Sequence, residues 1–141
     1  MDTANKTSIT ISTTINAPIE KVWKLWTTPE DIKQWNTASD DWHTTKSEND
    51  LRTGGKFSSR MEAKDGSFGF DFWGIHETVH EHKQIVSVMG DERRMEVNFD
   101  SNGDVTTVTE TFETEGTHSI EQQRDGWQAI LNNFKKYAES K

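Results

Sequence analysis

From residue 41 to residue 113 the chain keeps a period of two, broken at short intervals by turn signals. "KFSSRMEAK" sets Phe57, Met61 and Ala63 against Arg60, Glu62 and Lys64. "RRMEVNFD" sets Met95, Val97 and Phe99 against Glu96 and Asn98. Strict alternation marks strands with one buried face. Between the strands lie "RTGGK", "KDGS", "HEHK", "GD" and "SNGD", all rich in turn residues. "SNGD" is the strongest hairpin signal, because Asn-Gly suits the two positive-φ positions of a type I′ turn. Strands joined so tightly build an antiparallel sheet, since parallel neighbours need crossovers of a dozen residues or more. The apolar face of that sheet must then be covered by another element.

The covering element is "GWQAILNNFKKY" at residues 126–137, where Trp127, Ile130, Leu131, Phe134 and Tyr137 form a wide stripe at helical spacing. The pattern predicts a helix over 119–139. At the other end, "TSITISTTIN" alternates, with Ile9, Ile11 and Ile15 on one parity, and reads as a half-buried strand. "APIEKVWKLWT" follows as a helix, with Pro18 in its first turn, Asn16 as candidate cap, and Ile19, Val22, Trp23 and Trp26 on one face. "TTPEDIKQWN" reads as a second short helix capped by Thr28 and opened by Pro29, with Ile32 and Trp35 apolar. "FGFDFWGIHETV" carries early apolar residues on both parities, so both its faces are expected to be covered. The order is β-α-α-β(6)-α, an α+β fold with one long helix across an antiparallel sheet.

Composition sharpens this reading in three ways. Leu, Ile, Val and Phe make up fewer than one residue in five, and the net charge is −8, a balance that borders on disordered chains. The six Trp and seven Phe fall on periodic positions, however, and aromatics bury about 150–250 Å² each. With 141 residues the chain is expected to be one domain, 1–141, with a flexible start at residues 1–6. The absence of Cys excludes disulfides, thiolate zinc sites and a Cys nucleophile, and fits a reducing compartment. The start has no basic n-region and no apolar h-region, and no apolar run approaches the ~18 residues that span a membrane. A cytoplasmic location without membrane insertion is expected, as a monomer or weak dimer. Nucleic acid is not expected, because the basic pair Arg93 and Arg94 is flanked by Glu92 and Glu96.

Four stretches carry a family likeness: "INAPIEKVWKLWTTPEDIKQW", "DLRTGGKFSSRMEAKDG", "FWGIHETVHEHKQIVSVM" and "EQQRDGWQAILNNFKKYAE". With the strand that leads into the first of them they span about residues 9–139 and resemble the START-like (SRPBCC) superfamily. The nearer likeness is to its single-domain branch related to activators of the heat-shock-protein-90 ATPase. The resemblance implies a helix-grip fold (START/Bet v-like), a curved sheet wrapped around the C-terminal helix with an elongated cavity between them. It further implies a small hydrophobic or amphipathic ligand in that cavity and a stress-related role. The lining would be Trp127, Ile130, Leu131 and Phe134 from the helix, and Phe57, Met61, Phe72, Val97, Phe99 and Phe112 from strands. His76, Asn98 and Glu110 would supply the placed polar groups. Periodicity alone reads the same apolar residues as filled core.

Two rival functions come with the resemblance. One is a cyclase or dehydratase-like enzyme, in which an inward Glu110, Asp71 or His76 would act as a base. The other is an interaction protein in contact with a chaperone. No catalytic residue, cofactor or metal is assigned. His76, His80 and His82 could ligate a metal, but two of them fall in an expected turn. "DSNGDVTTVTET" begins like a calcium loop yet has Val105 and Thr111 where Gly and Glu are required. The acidic segment at residues 38–52, with Trp42, reads as a cavity lip, a docking surface or a solvated loop and strand.

Overall fold

The computed structural model describes residues 7–141; the flexible start expected at residues 1–6 lies outside the described residues. The elements are β1 (Ser8–Ile15), α1 (Ile19–Thr27), α2 (Pro29–Trp35), β2 (Trp42–Asn49), β3 (Lys56–Ala63), β4 (Gly69–His80), β5 (Gln84–Met89), β6 (Arg94–Asn102), β7 (Val105–Glu113) and α3 (Ile120–Glu139). All seven strands form one sheet in the order β1-β7-β6-β5-β4-β3-β2. Every pairing is antiparallel. The six later strands are a plain meander, as hairpin connections require. β1 joins the far edge beside β7, so the α1–α2 connection carries the chain from one edge of the sheet to the other. This is the expected α+β helix-grip architecture.

Threonine explains how β1 is held. Its Ile9 and Ile11 stand opposite Phe112 and Glu110 on the concave face. On the convex face the hydroxyls of Thr10 and Thr111 meet at 3.0 Å, and those of Thr14 and Thr107 at 3.2 Å. Such cross-strand pairs add a few tenths of a kcal/mol each, about 0.2–1. Two register shifts, between Thr44 and Lys46 in β2 and between His76 and Thr78 in β4, interrupt the ladders. Bulges bend a strand and increase its twist, which curls the sheet.

α3 is the long element, 20 residues or about 30 Å. It begins with a capping box: Gln122 N donates to Ser119 Oγ and Ser119 N donates to Gln122 Oε1, both at 3.1 Å. Its two halves have different surroundings. Leu131, Phe134 and Ala138 in the C-terminal half are fully buried among Ile9, Ile15, Val22, Trp35 and Val108. The Tyr137 hydroxyl donates to Asp31 at 2.6 Å, and Asn133 Nδ2 donates to the Trp35 carbonyl at 2.8 Å, which ties this half to α2. Each buried Leu or Phe here stabilises the fold by about 1.5–3 kcal/mol.

Three local expectations need correction. Asn16 does not cap α1; Pro18 occupies that position with no side-chain cap, and Asn16 N donates instead to Glu139. The "SNGD" hairpin is centred on Gly103 and Asp104, since Asn102 pairs with Val105. Only Gly103 has positive φ, 68°, so the turn follows the type II′ pattern with Gly at its first central position. The early part of β4 is not covered on both faces: Trp73 and Ile75 point outward and are 39% and 37% exposed. Trp73 is sheltered there by Gly90, where a Cβ would collide with its indole, and by the Lys56 ammonium 4.9 Å from its ring. No helix among the described residues is long and apolar enough to cross a membrane.

Candidate functional site

Over the N-terminal half of α3 the sheet and the helix part. Between them, closed at one end by α2, lies a cavity of about 430 Å³. Of the residues expected to line it, Phe57, Met61, Phe72, His76, Val97, Trp127 and Ile130 do. Phe99, Phe112, Leu131 and Phe134 do not; they are packed into the core where β1, β6, β7, α1 and α3 meet. Parity placed Phe99 and Phe112 on the concave face, and helical spacing placed Leu131 and Phe134 on the apolar stripe of α3, but neither period says how close the helix comes to the sheet. Trp127 is the divide: it stacks flat on Phe112, centroids 3.9 Å apart, and meets Phe72 nearly at right angles, centroids 6.0 Å apart.

Sequence reasoning missed much of the remaining wall. Trp26, Ile32 and Trp35 close the end under α2, and Phe70, Ile85 and Met95 complete the sheet side. Trp26 and Trp35 stack at 4.9 Å, and the Trp35 indole N–H donates to the Leu25 carbonyl, so both rings are held. Their helical spacing was a readable signal of an apolar face, though not of what that face meets. Gly74 lets Phe57 lie across β4: a Cβ there would fall 2.8 Å from the Phe57 ring. Phe57 in turn stacks on the His76 imidazole, 5.2 Å between centroids.

His76 is 5% exposed and both of its ring nitrogens are engaged. Nε2 lies 2.7 Å from Asn49 Oδ1, and Nδ1 lies 3.0 Å from Ser87 Oγ. Asn49 Nδ2 donates to the Thr27 carbonyl at 2.8 Å. That bond orients the amide, so Oδ1 accepts from Nε2–H, and the neutral ring accepts at Nδ1 from the Ser87 hydroxyl. Burial lowers the His76 pKa, against an opposing pull from Asp50, in keeping with a neutral ring. His76 is a braced wall group with no free nitrogen to offer a ligand.

Glu110 is different. It sits mid-strand in β7 between Ile11 of β1 and Val97 of β6. It is 6% exposed, its carboxyl borders the cavity, and among the described residues no hydrogen-bond or ion-pair partner reaches it. Burial pushes its pKa up to about 8. A carboxyl in this state is largely protonated at neutral pH and ionises when a cation or a proton acceptor approaches.

The rim is polar and internally paired. Glu115 accepts from the backbone N–H groups of Thr117 and His118 and lies 2.8 Å from His118 Nδ1. These bonds hold its pKa down to about 2. Gln123 ties the same loop by donating to the carbonyls of Glu115 and His118. Arg93 donates to Asp91 at 2.7 Å and to the Glu113 carbonyl at 3.3 Å. Of the acidic segment, Glu48 borders the cavity, while Trp42 packs against Phe68 and Phe70 beside the opening.

Other polar candidates lie elsewhere. Asn98 is on the convex face, bonded to Glu96 and Gln84. Asp71 is on that face too, 3.5 Å from Arg60. His80 ends β4 in solvent, and His82 lies edge-on to Trp23, so neither approaches His76. Among the described residues no three His, Cys, Asp or Glu side chains are grouped to hold a metal ion.

Comparison with known proteins places this geometry in context. The family model described as Activator of Hsp90 ATPase homolog 1-like protein matches residues 16–139. The solution structure of an AHSA1-like protein from Aeromonas hydrophila is 47% identical, over 95% of this chain and 93% of its own, with a TM-score of 0.89. A solution structure from Cytophaga hutchinsonii is 45% identical, over 94% and 92%, with a TM-score of 0.82. A crystal structure from Chromobacterium violaceum, at 17% identity over 94% and 98% and a TM-score of 0.84, shares the fold alone. No curated protein matches the chain.

Proposed function

The chain belongs to the Activator of Hsp90 ATPase homolog 1-like family, and on that premise we propose that it binds a small hydrophobic or amphipathic molecule between its sheet and α3. The observation that carries this reading is the cavity itself, about 430 Å³ with an aromatic and aliphatic wall. Interiors ordinarily close such spaces, and volumes of about 300–1,000 Å³ are those of ligand sites. Apolar burial drives the binding. About 300 Å² of ligand surface at about 25 cal/mol per Å² amounts to about 7 kcal/mol, from which association subtracts about 4 kcal/mol or more. Useful affinity then depends on added contacts, including the few polar groups of the wall.

The test is a two-dimensional NMR titration of amide and indole signals against lipids, fatty acids, flavonoids and polyketide-like aromatics. Saturable shifts at Trp127, Ile130 and Phe72 are expected. Silence at all three across the library would sink the reading. A second reading, acid–base chemistry on the bound molecule, has one observation in its favour, the buried Glu110 carboxyl on the wall. It requires turnover of a bound compound that Glu110→Gln abolishes.

A further inference from the structure

Among the described residues, one buried polar side chain of the cavity wall is not used by the fold. His76 is saturated by Asn49 and Ser87. Gln123 is saturated by the rim loop. The Glu110 carboxyl, deep on β7, has no partner among the described residues. An unpartnered buried carboxyl costs stability, and a Gln or Thr there could hydrogen-bond a neutral ligand at lower cost. What only a carboxyl adds is a negative charge on demand.

The wall around it suits a positive charge. Six aromatic side chains border the space: Trp26, Trp35, Phe57, Phe70, Phe72 and Trp127. Aromatic faces attract cations, and more strongly where water is excluded. The charged and titratable groups that face the cavity from the surrounding elements are Glu48 of β2, His76 of β4, Arg93 before β6, Glu110 of β7, and Glu115 and His118 before α3. The two that can be cationic at the rim each have their own carboxylate, Arg93 with Asp91 and His118 with Glu115. The strands flanking Glu110 offer only Ile11 and Val97 opposite it. The balance left over is negative, in a chain of net charge −8.

We infer that the cavity selects a hydrophobic molecule carrying a protonated amine, its apolar body against the aromatic wall and its ammonium on the Glu110 carboxylate. This rests on the cavity reading above and names the ligand class of the same site. Binding the cation ionises Glu110, so one proton leaves when the ligand enters from a solution below the carboxyl's own titration.

The experiment compares n-decylamine, 1-decanol and decanoate by calorimetry on the wild-type chain and on Glu110→Gln. The expected result is that decylamine binds the wild type about tenfold or more tighter than decanol, as a charge-assisted hydrogen bond would give. Glu110→Gln should abolish that preference while decanol still binds, which also shows that the variant keeps its cavity. Decylamine affinity should rise about tenfold per pH unit from pH 6 towards 8 in the wild type and stay flat in the variant. Equal binding of all three compounds, or a preference for the amine that survives in Glu110→Gln, overturns the amine inference and leaves the cavity reading standing. Binding of none of the three overturns both.

Discussion

Trp127 lies flat on Phe112, with ring centroids 3.9 Å apart and planes within 10°. One face of the indole thus belongs to the core, and the rest of the ring borders the cavity. Trp127→Ala should remove both functions at once. Loss of a stacked, partly buried Trp is expected to cost about 3 kcal/mol, read as a lower denaturation midpoint. Ligand-induced shifts at Phe72 should weaken in parallel.

Glu110 should make stability depend on pH. Its folded pKa, about 8, lies above its ordinary value of 4.5. The folded state therefore holds a proton that the unfolded state releases above pH 4.5, so this group's contribution is full below pH 4.5 and is lost as pH rises through 8. Glu110→Gln should match the wild type near pH 4 and exceed it by a few kcal/mol at pH 8, given about 1.4 kcal/mol per pH unit. Denaturant titrations of both proteins at several pH values check this; parallel curves would contradict it.

Asn49 holds the chain of bonds from the Thr27 carbonyl to His76. Asn49→Ala leaves the Nε2–H donor of His76 without its protein partner at the cavity wall. The expected cost is about 1–3 kcal/mol. Histidine NMR should show the His76 pKa, now lowered by burial, moving as the ring gains solvent.

The rim loop depends on Glu115. Its pKa, about 2 against an ordinary 4.5, reflects bonds from the His118 backbone and side chain and the Thr117 backbone. A depressed carboxyl contributes above its unfolded pKa, and that contribution fades as pH falls towards 2. Glu115→Gln should speed hydrogen exchange at the Thr117 and His118 amides at neutral pH, with little change in the C-terminal half of α3.

Gly126 sits in the cavity-lining turn of α3, and a Cβ there would meet no atom within 4 Å. Gly126→Ala should stabilise the protein by about 0.5–1 kcal/mol through helix propensity. Gly126→Phe puts a ring into that open space and should lower affinity for cavity ligands while the helix signal in circular dichroism stays intact.

Much of the fold was legible because it rests on local periodicity. Alternation such as Met95, Val97, Phe99 against Glu96, Asn98 states which side chains share a face, and the order of hairpins then leaves one meander. The site was half legible for the same reason. Phe57, Phe72 and Val97 were placed inward by parity and line the cavity, yet Phe99 and Phe112, equally inward, are core. Trp73 and Ile75 misled in the opposite sense, since an apolar residue on a strand carries no mark of whether its face is covered.

The amino-acid sequence by itself determined the elements, their order and the faces they turn inward, because each follows from side-chain spacing within a few residues. Only the tertiary structure decided where α3 touches the sheet and where it stands away from it. That separation is set by contacts between residues a hundred positions apart, Tyr137 with Asp31 and Asn133 with the Trp35 carbonyl, and by the bulges that curl the sheet. It also decided that His76 would be saturated and Glu110 left without a partner among the described residues, a difference in surroundings that their shared inward parity does not reveal.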